Sequence, residues 1–222
     1  MSLEGRAHHA LISGILERGR APELEELAAE LGVDAAQAQQ ALRRLADEHG
    51  VVLHPDGRRV WVIHPFSLSP ANVWVAARAR GFWAPCLWCA FGVAALAGED
   101  CEIHARLGGE SLPFVMRAGD DTAAVVHFSA PPRDAWDNVI HWCATVQPFA
   151  SERDVDAWCA RHGLPRGDVV PVTQVRELAR RWYGGHAARD WRKHSAREAQ
   201  AIFAEVGLIG KFWEVPAADA RF

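Results

Sequence analysis

Residues 81–98 read GFWAPCLWCAFGVAALAG, a continuous apolar stretch too long and too rich in alanine for a strand. Its second half, from about Cys86 to Leu96, is predicted as a buried helix ended by Gly98. Cys86 and Cys89 stand there in C-x-x-C spacing, which on a helix puts both thiols on one face. Free cysteine often packs as a small buried hydrophobe, and the setting PCLWCAF is apolar. A structural zinc site needs four ligands, and there is no second C-x-x-C. His104, His127 and His141 are available, but their spacing predicts no site. A thioredoxin-like redox role needs a βαβ setting that the flanking sequence lacks.

Downstream the pattern changes to alternation. Residues 101–107, 112–116 and 123–128 read as strands of a meander, separated by Gly108-Gly109 and Gly119-Asp120-Asp121. In 134–147 (DAWDNVIHWCATVQ), Val139-Ile140 and the alternation after them favour a strand through Cys143. On such a strand His141, Cys143 and Thr145 share a face, where the imidazole could lower the thiol pKa or supply a proton. Ser151 caps a helix that Gly163 stops, residues 173–183 form another, and Ser195 with Glu198 makes a capping box for a last one over 196–206. Segment 207–215 reads as a terminal strand or lid packing Phe212 and Trp213.

Upstream, Leu24, Leu27, Ala28 and Leu31 mark one helix face and Ala38, Ala41, Leu42 and Leu45 another, with Gly32 as stop and Asp34 as N-cap between them. Val51–Leu53 and Val60–Ile63 flank the turn His54-Pro55-Asp56-Gly57. With a first helix around Leu11–Leu16, these elements compose a winged helix-turn-helix over 1–66. Its charge argues against DNA binding: seven Arg and no Lys face ten carboxylates, whereas a DNA reader needs a basic face. A structural or dimerisation role is the favoured reading. Residues 67–80 read as a connector and 81–222 as a thiol domain, making an α+β chain.

The whole chain has 222 residues, 50% of them apolar, with ten tryptophans and a net charge of −4, which excludes a disordered protein. No apolar run reaches the ~18 residues of a membrane helix. The start MSLEGRAHHALISG lacks a long apolar region, so no export signal is expected. Five cysteines in such a chain read as free thiols in a reducing cytoplasm. Residues 176–197 carry seven basic residues against two acidic ones, interleaved with Trp182, Tyr183 and Trp191, most simply a solvated helical face.

Two thiol segments carry a resemblance. Trp88-Cys89-Ala90-Phe91-Gly92, followed by strands and then by Cys143 upstream of Phe149-Ala150-Ser151, resembles the alkylmercury (organomercurial) lyase family over roughly residues 20–180. The resemblance implies an antiparallel or mixed sheet with flanking helices, and cleavage of carbon–mercury bonds to a hydrocarbon and Hg(II). It matches the family's two cysteines to Cys89 and Cys143, and its aspartate, three residues after the first cysteine, to Gly92. Soft mercury selects thiolates, so both ligands are retained while the acid that protonates carbon is missing. His141 is the first candidate substitute and Cys86, one turn before Cys89, the second, either as donor or as a third metal ligand. Glu99, Asp100 and Asp137 carry no positional argument. An aspartate returned to position 92 is expected to raise turnover.

The resemblance further implies no resident cofactor, an organometal as small-molecule substrate, and a mercuric reductase or thiol carrier as partner, with a homodimer left open. Two alternatives stay beside the lyase: a soft-metal sensor or scavenger that binds without cleaving, and another thiol-dependent reaction on the same scaffold. A shared soft metal requires the Cys89 and Cys143 sulfurs within roughly 4–5 Å of each other, given metal–sulfur bonds near 2.3 Å.

Overall fold

A computed structural model describes residues 2–98, 100–136 and 138–215. Three helices open the chain: α1 (Leu3–Arg18), α2 (Leu24–Leu31) and α3 (Ala35–Asp47). The apolar faces read from the sequence of α2 and α3 are all buried. Gly32 ends α2 in the left-handed conformation, and Asp34 with Gln37 forms a capping box on α3. Strands β1 (Val52–Leu53) and β2 (Val60–Ile63) then pair antiparallel.

These two strands continue into a larger sheet. β3 (Phe66–Ser67), β4 (Val73–Ala76), β5 (Gly81–Ala84), β6 (Glu102–Arg106) and β7 (Pro113–Arg117) join them in one seven-stranded antiparallel sheet, ordered β1-β2-β3-β5-β4-β6-β7. Residues 67–80, read as a connector, thus contain β4, whose Val73 and Val75 are buried while Trp74 and Ala76 are half-buried. The proline and serine punctuation around it masks a strand of only four residues.

The meander is split. β8 (Val125–Phe128) leaves β7 and pairs instead with β9 (Val146–Phe149) and β10 (Asp168–Pro171) in a second antiparallel sheet. Between β8 and β9 the strand expected through Cys143 is a helix, α5 (Val139–Ala144). Asn138 decides this: its side chain accepts the His141 backbone N–H at 2.9 Å, an N-cap that outweighs the strand preference of Val139-Ile140.

Helix α4 (Leu87–Ala97) is apolar all round and accordingly buried along its first seven residues. It packs on β4 and β5 on one side and on α7 (Val172–Tyr183) on the other. α7 turns Val172, Val175, Leu178, Ala179 and Trp182 inward. Its arginines point outward into ion pairs, Arg176 with Asp121 and both Arg180 and Arg181 with Glu177. Helix α6 (Glu152–His162) covers a small satellite core of Val125, Phe149, Val155 and Cys159, and α8 (Ala196–Glu205) begins at the predicted Ser195 capping box. The segment expected as a terminal strand or lid is a single 3-10 turn, Lys211–Trp213, whose Trp213 is buried and whose Nε1 donates to Asp168. Among the described residues no helix is long and apolar enough to cross a membrane.

Candidate active site

Four segments converge at the N-terminus of α4. β5 runs through Pro85 into the helix, and Asn72 Nδ2 donates to the Pro85 carbonyl at 3.0 Å, fixing the junction. Cys86 is the N-cap, its sulfur accepting the Cys89 N–H at 3.4 Å. Cys89 follows in the first turn, and the two sulfurs lie 3.3 Å apart. Cys143 enters from α5. His64 enters from the end of β2, with Nε2 3.6 Å from Cys143 Sγ. One ligand atom from each of His64, Cys89 and Cys143 lies within 4.8 Å of the other two. The distance demanded of two sulfurs that share one soft metal is met.

Tyr183, the last residue of α7, completes the group. Its hydroxyl stands 3.5 Å from Cys89 Sγ, and its ring packs edge-on to His186 and tilted against Trp88. The ring also fills the space beside Gly92, where an added Cβ would lie 2.3 Å from Tyr183 Cδ2. A glycine at 92 is what lets α7 approach α4 so closely.

Three buried thiols cannot all ionise, and the surroundings select one. Burial pushes the Cys89 thiol up, but hydrogen bonds from Cys143 and Cys86, the nearby His64 and the Tyr183 hydroxyl outweigh it and hold Cys89 well below the usual thiol value. Burial pushes Cys86 well above that value, and Cys143 is driven up by its hydrogen bonds to Cys86 and Cys89 and then by burial. Of the three, Cys89 is therefore the thiol most readily ionised. Burial also lowers the His64 pKa, against the pull of the nearby Cys89 sulfur, and raises that of the Tyr183 phenol. His186 donates Nδ1–H to the His64 carbonyl at 3.2 Å and is itself pushed down to about 3, chiefly by burial.

These groups face a cavity of about 80 Å³, room for a small organic group. Its walls include Trp88, Trp142, Trp182 and Trp191, and His49, His186, Lys193 and His194 supply polar groups. No carboxylate is among the described residues that line it.

The structure brings Cys86, Cys89 and Cys143 together and leaves His141 outside. On a helix, residues two apart diverge, so His141 is exposed and borders a different cavity, near Gln147 and Trp158. A shared face with Cys143 required a strand, and α5 is a helix. Asp100 is paired with Arg117 at 2.8 Å, while Glu99 and Asp137 lie outside the described residues. Cys101 is buried beside β6, and Cys159 packs in the satellite core with its sulfur 3.8 Å from His127 Nε2. His64 and Tyr183 are site residues that the sequence does not announce. Each reaches the site across a long stretch of chain, His64 to Cys143 and Tyr183 to Cys89, and no local spacing signals either pairing.

The sequence model of the alkylmercury lyase family matches residues 66–184, more than half of the chain. Among solved structures, the mercury-bound form of MerB2 superposes with a TM-score of 0.61 at 16% identity, over 83% of this chain and 97% of that one. That likeness is one of fold. No curated protein matches.

Proposed function

The chain belongs to the alkylmercury lyase family, and from that premise we propose that it cleaves carbon–mercury bonds by protonolysis with Cys89 and Cys143 as the working pair. The observation that carries the reading is the meeting of both sulfurs with His64 inside one aromatic cavity. The Cys89 thiolate displaces the group X from R–Hg–X, forming an Hg–S bond as X leaves with its electron pair. Cys143 then binds mercury through sulfur and gives up its proton, for which neutral His64 is the adjacent acceptor. The electron pair of the C–Hg bond stays with carbon, which takes one proton. The products are R–H and Hg(II) held by two sulfurs, with mercury at the same oxidation state throughout. Tryptophan walls suit an alkyl or aryl R.

The three helices and hairpin of residues 1–66 are read as a winged helix-turn-helix in a structural role. Supporting this, Arg44, Arg58 and Arg59 are paired with Glu4, Glu25 and Asp56, and β2 delivers His64 to the site. The natural setting proposed is the cytoplasm, where the thiols stay reduced and a thiol carrier or mercuric reductase can take the product.

Gas-chromatographic assay of benzene from phenylmercury, or of methane from methylmercury, tests the function. Wild type should release hydrocarbon and Cys89→Ser should not. A second reading, a soft-metal sensor or scavenger, is favoured by one feature: Cys86 adds a third sulfur where no carboxylate is present among the described lining residues. It predicts stoichiometric binding of phenylmercury without benzene.

A further inference from the structure

We propose that Tyr183 is the proton donor of this site, delivering its hydroxyl proton to the carbon that leaves mercury. The inference rests on the lyase reading and adds the group that reading lacks.

Two independent observations carry it. The space beside Gly92, where a carboxylate side chain would have to begin, is filled from another helix by the Tyr183 ring. The residue that fills it brings an O–H to 3.5 Å from Cys89 Sγ, the sulfur on which the substrate mercury is held. Tyr183 is the only tyrosine in the chain and is 3% exposed. Trp88 and His186 pack on its ring, which holds the hydroxyl oxygen in place beside Cys89. No carboxylate competes among the described lining residues, and His141 faces elsewhere.

The step balances. In R–Hg–S(Cys89) the C–Hg bond breaks, its electron pair accepts the Tyr183 proton, and R–H forms. The phenolate is reprotonated at the expense of the proton that Cys143 gives up as its sulfur binds mercury. The net change is R–Hg–S(Cys89) plus HS(Cys143) giving R–H and a dithiolate of Hg(II). Carbanion-like carbon is basic enough to take a proton from a phenol, so a carboxylic acid is not required.

Single-turnover benzene release from phenylmercury tests this, with bound mercury measured in parallel. Y183F keeps the ring that packs on Gly92 and removes only the oxygen. It should bind phenylmercury stoichiometrically and release benzene about 100-fold more slowly, the range for loss of a general acid. A second variant pair guards against misfolding: Y183A should be slow, and G92D/Y183A, with the ring space opened to a carboxylate, should regain at least about tenfold of that loss. Y183F releasing benzene at the wild-type rate overturns the proposal, as does a C86S variant that loses release while Y183F keeps it. Wild type that binds phenylmercury and never yields benzene overturns the lyase reading itself, and the donor role with it.

Discussion

The ring of Tyr183 occupies the volume that any side chain on Gly92 would need, with Tyr183 Cδ2 2.3 Å from the position of an added Cβ and Cε2 and Cγ at 2.8 Å. Sequence comparison alone makes Gly92 a gap to be refilled with an acid. The contact reverses that expectation. Gly92→Asp should lower turnover, and Gly92→Ala should destabilise as well, by about 1–3 kcal/mol of overpacking. At about 2–4 °C per kcal/mol for a chain of this size, thermal unfolding will register it.

Under the proposed reaction Cys89 and Cys143 should fail differently. Cys89→Ser removes the sulfur whose surroundings favour the thiolate most and should lose organomercurial capture at neutral pH. Cys143→Ser leaves that sulfur in place and should still bind phenylmercury through one thiol, without benzene release. Mercury retained after desalting, measured beside hydrocarbon yield, separates the two variants.

Cys86 is both an N-cap and a third sulfur at 3.3 Å from Cys89. Serine caps helices well, so Cys86→Ser should fold normally. Product Hg(II) should then pass to added glutathione faster, by about tenfold if Cys86 contributes as an outer ligand-shell partner does. Timed transfer of mercury to excess glutathione gives the ratio.

Acid should destabilise the protein before its carboxylates titrate. Burial holds His8 well below its usual value and His186 at about 3. Unfolded histidine takes a proton near pH 6.5, so below that pH the unfolded state binds more protons and stability falls with pH. The stabilisation is complete above about pH 6.5 and is lost as pH drops toward the folded values. Each of the two should contribute a slope of up to about 1.4 kcal/mol per pH unit between roughly pH 6.5 and 4.5. Urea unfolding across that window should show it, and His186→Gln should flatten it.

Helices with strong local punctuation were legible in the chain. The capping residues Asp34, Ser151 and Ser195 and the stop glycines Gly32, Gly98 and Gly163 all act as their types suggest. The thiols were legible too, because C-x-x-C on a helix fixes its own geometry. What failed lay where local signals compete or are absent. Val139-Ile140 favour a strand, but a single Asn138 cap makes α5 and carries His141 to the surface. His64 and Tyr183 reach the thiols by tertiary packing alone, across 79 and 94 residues of chain. A side chain placed only by the meeting of distant elements leaves no periodicity to read.

The imidazole beside Cys143 belongs to residue 64, and the histidine that holds its backbone to residue 186. The segment matching the family spans 66–184. Both histidines therefore fall just beyond the ends of the stretch by which the chain is identified. Transplanting that stretch onto another scaffold would move both thiols, the glycine and the tyrosine, and leave behind the imidazole that meets them.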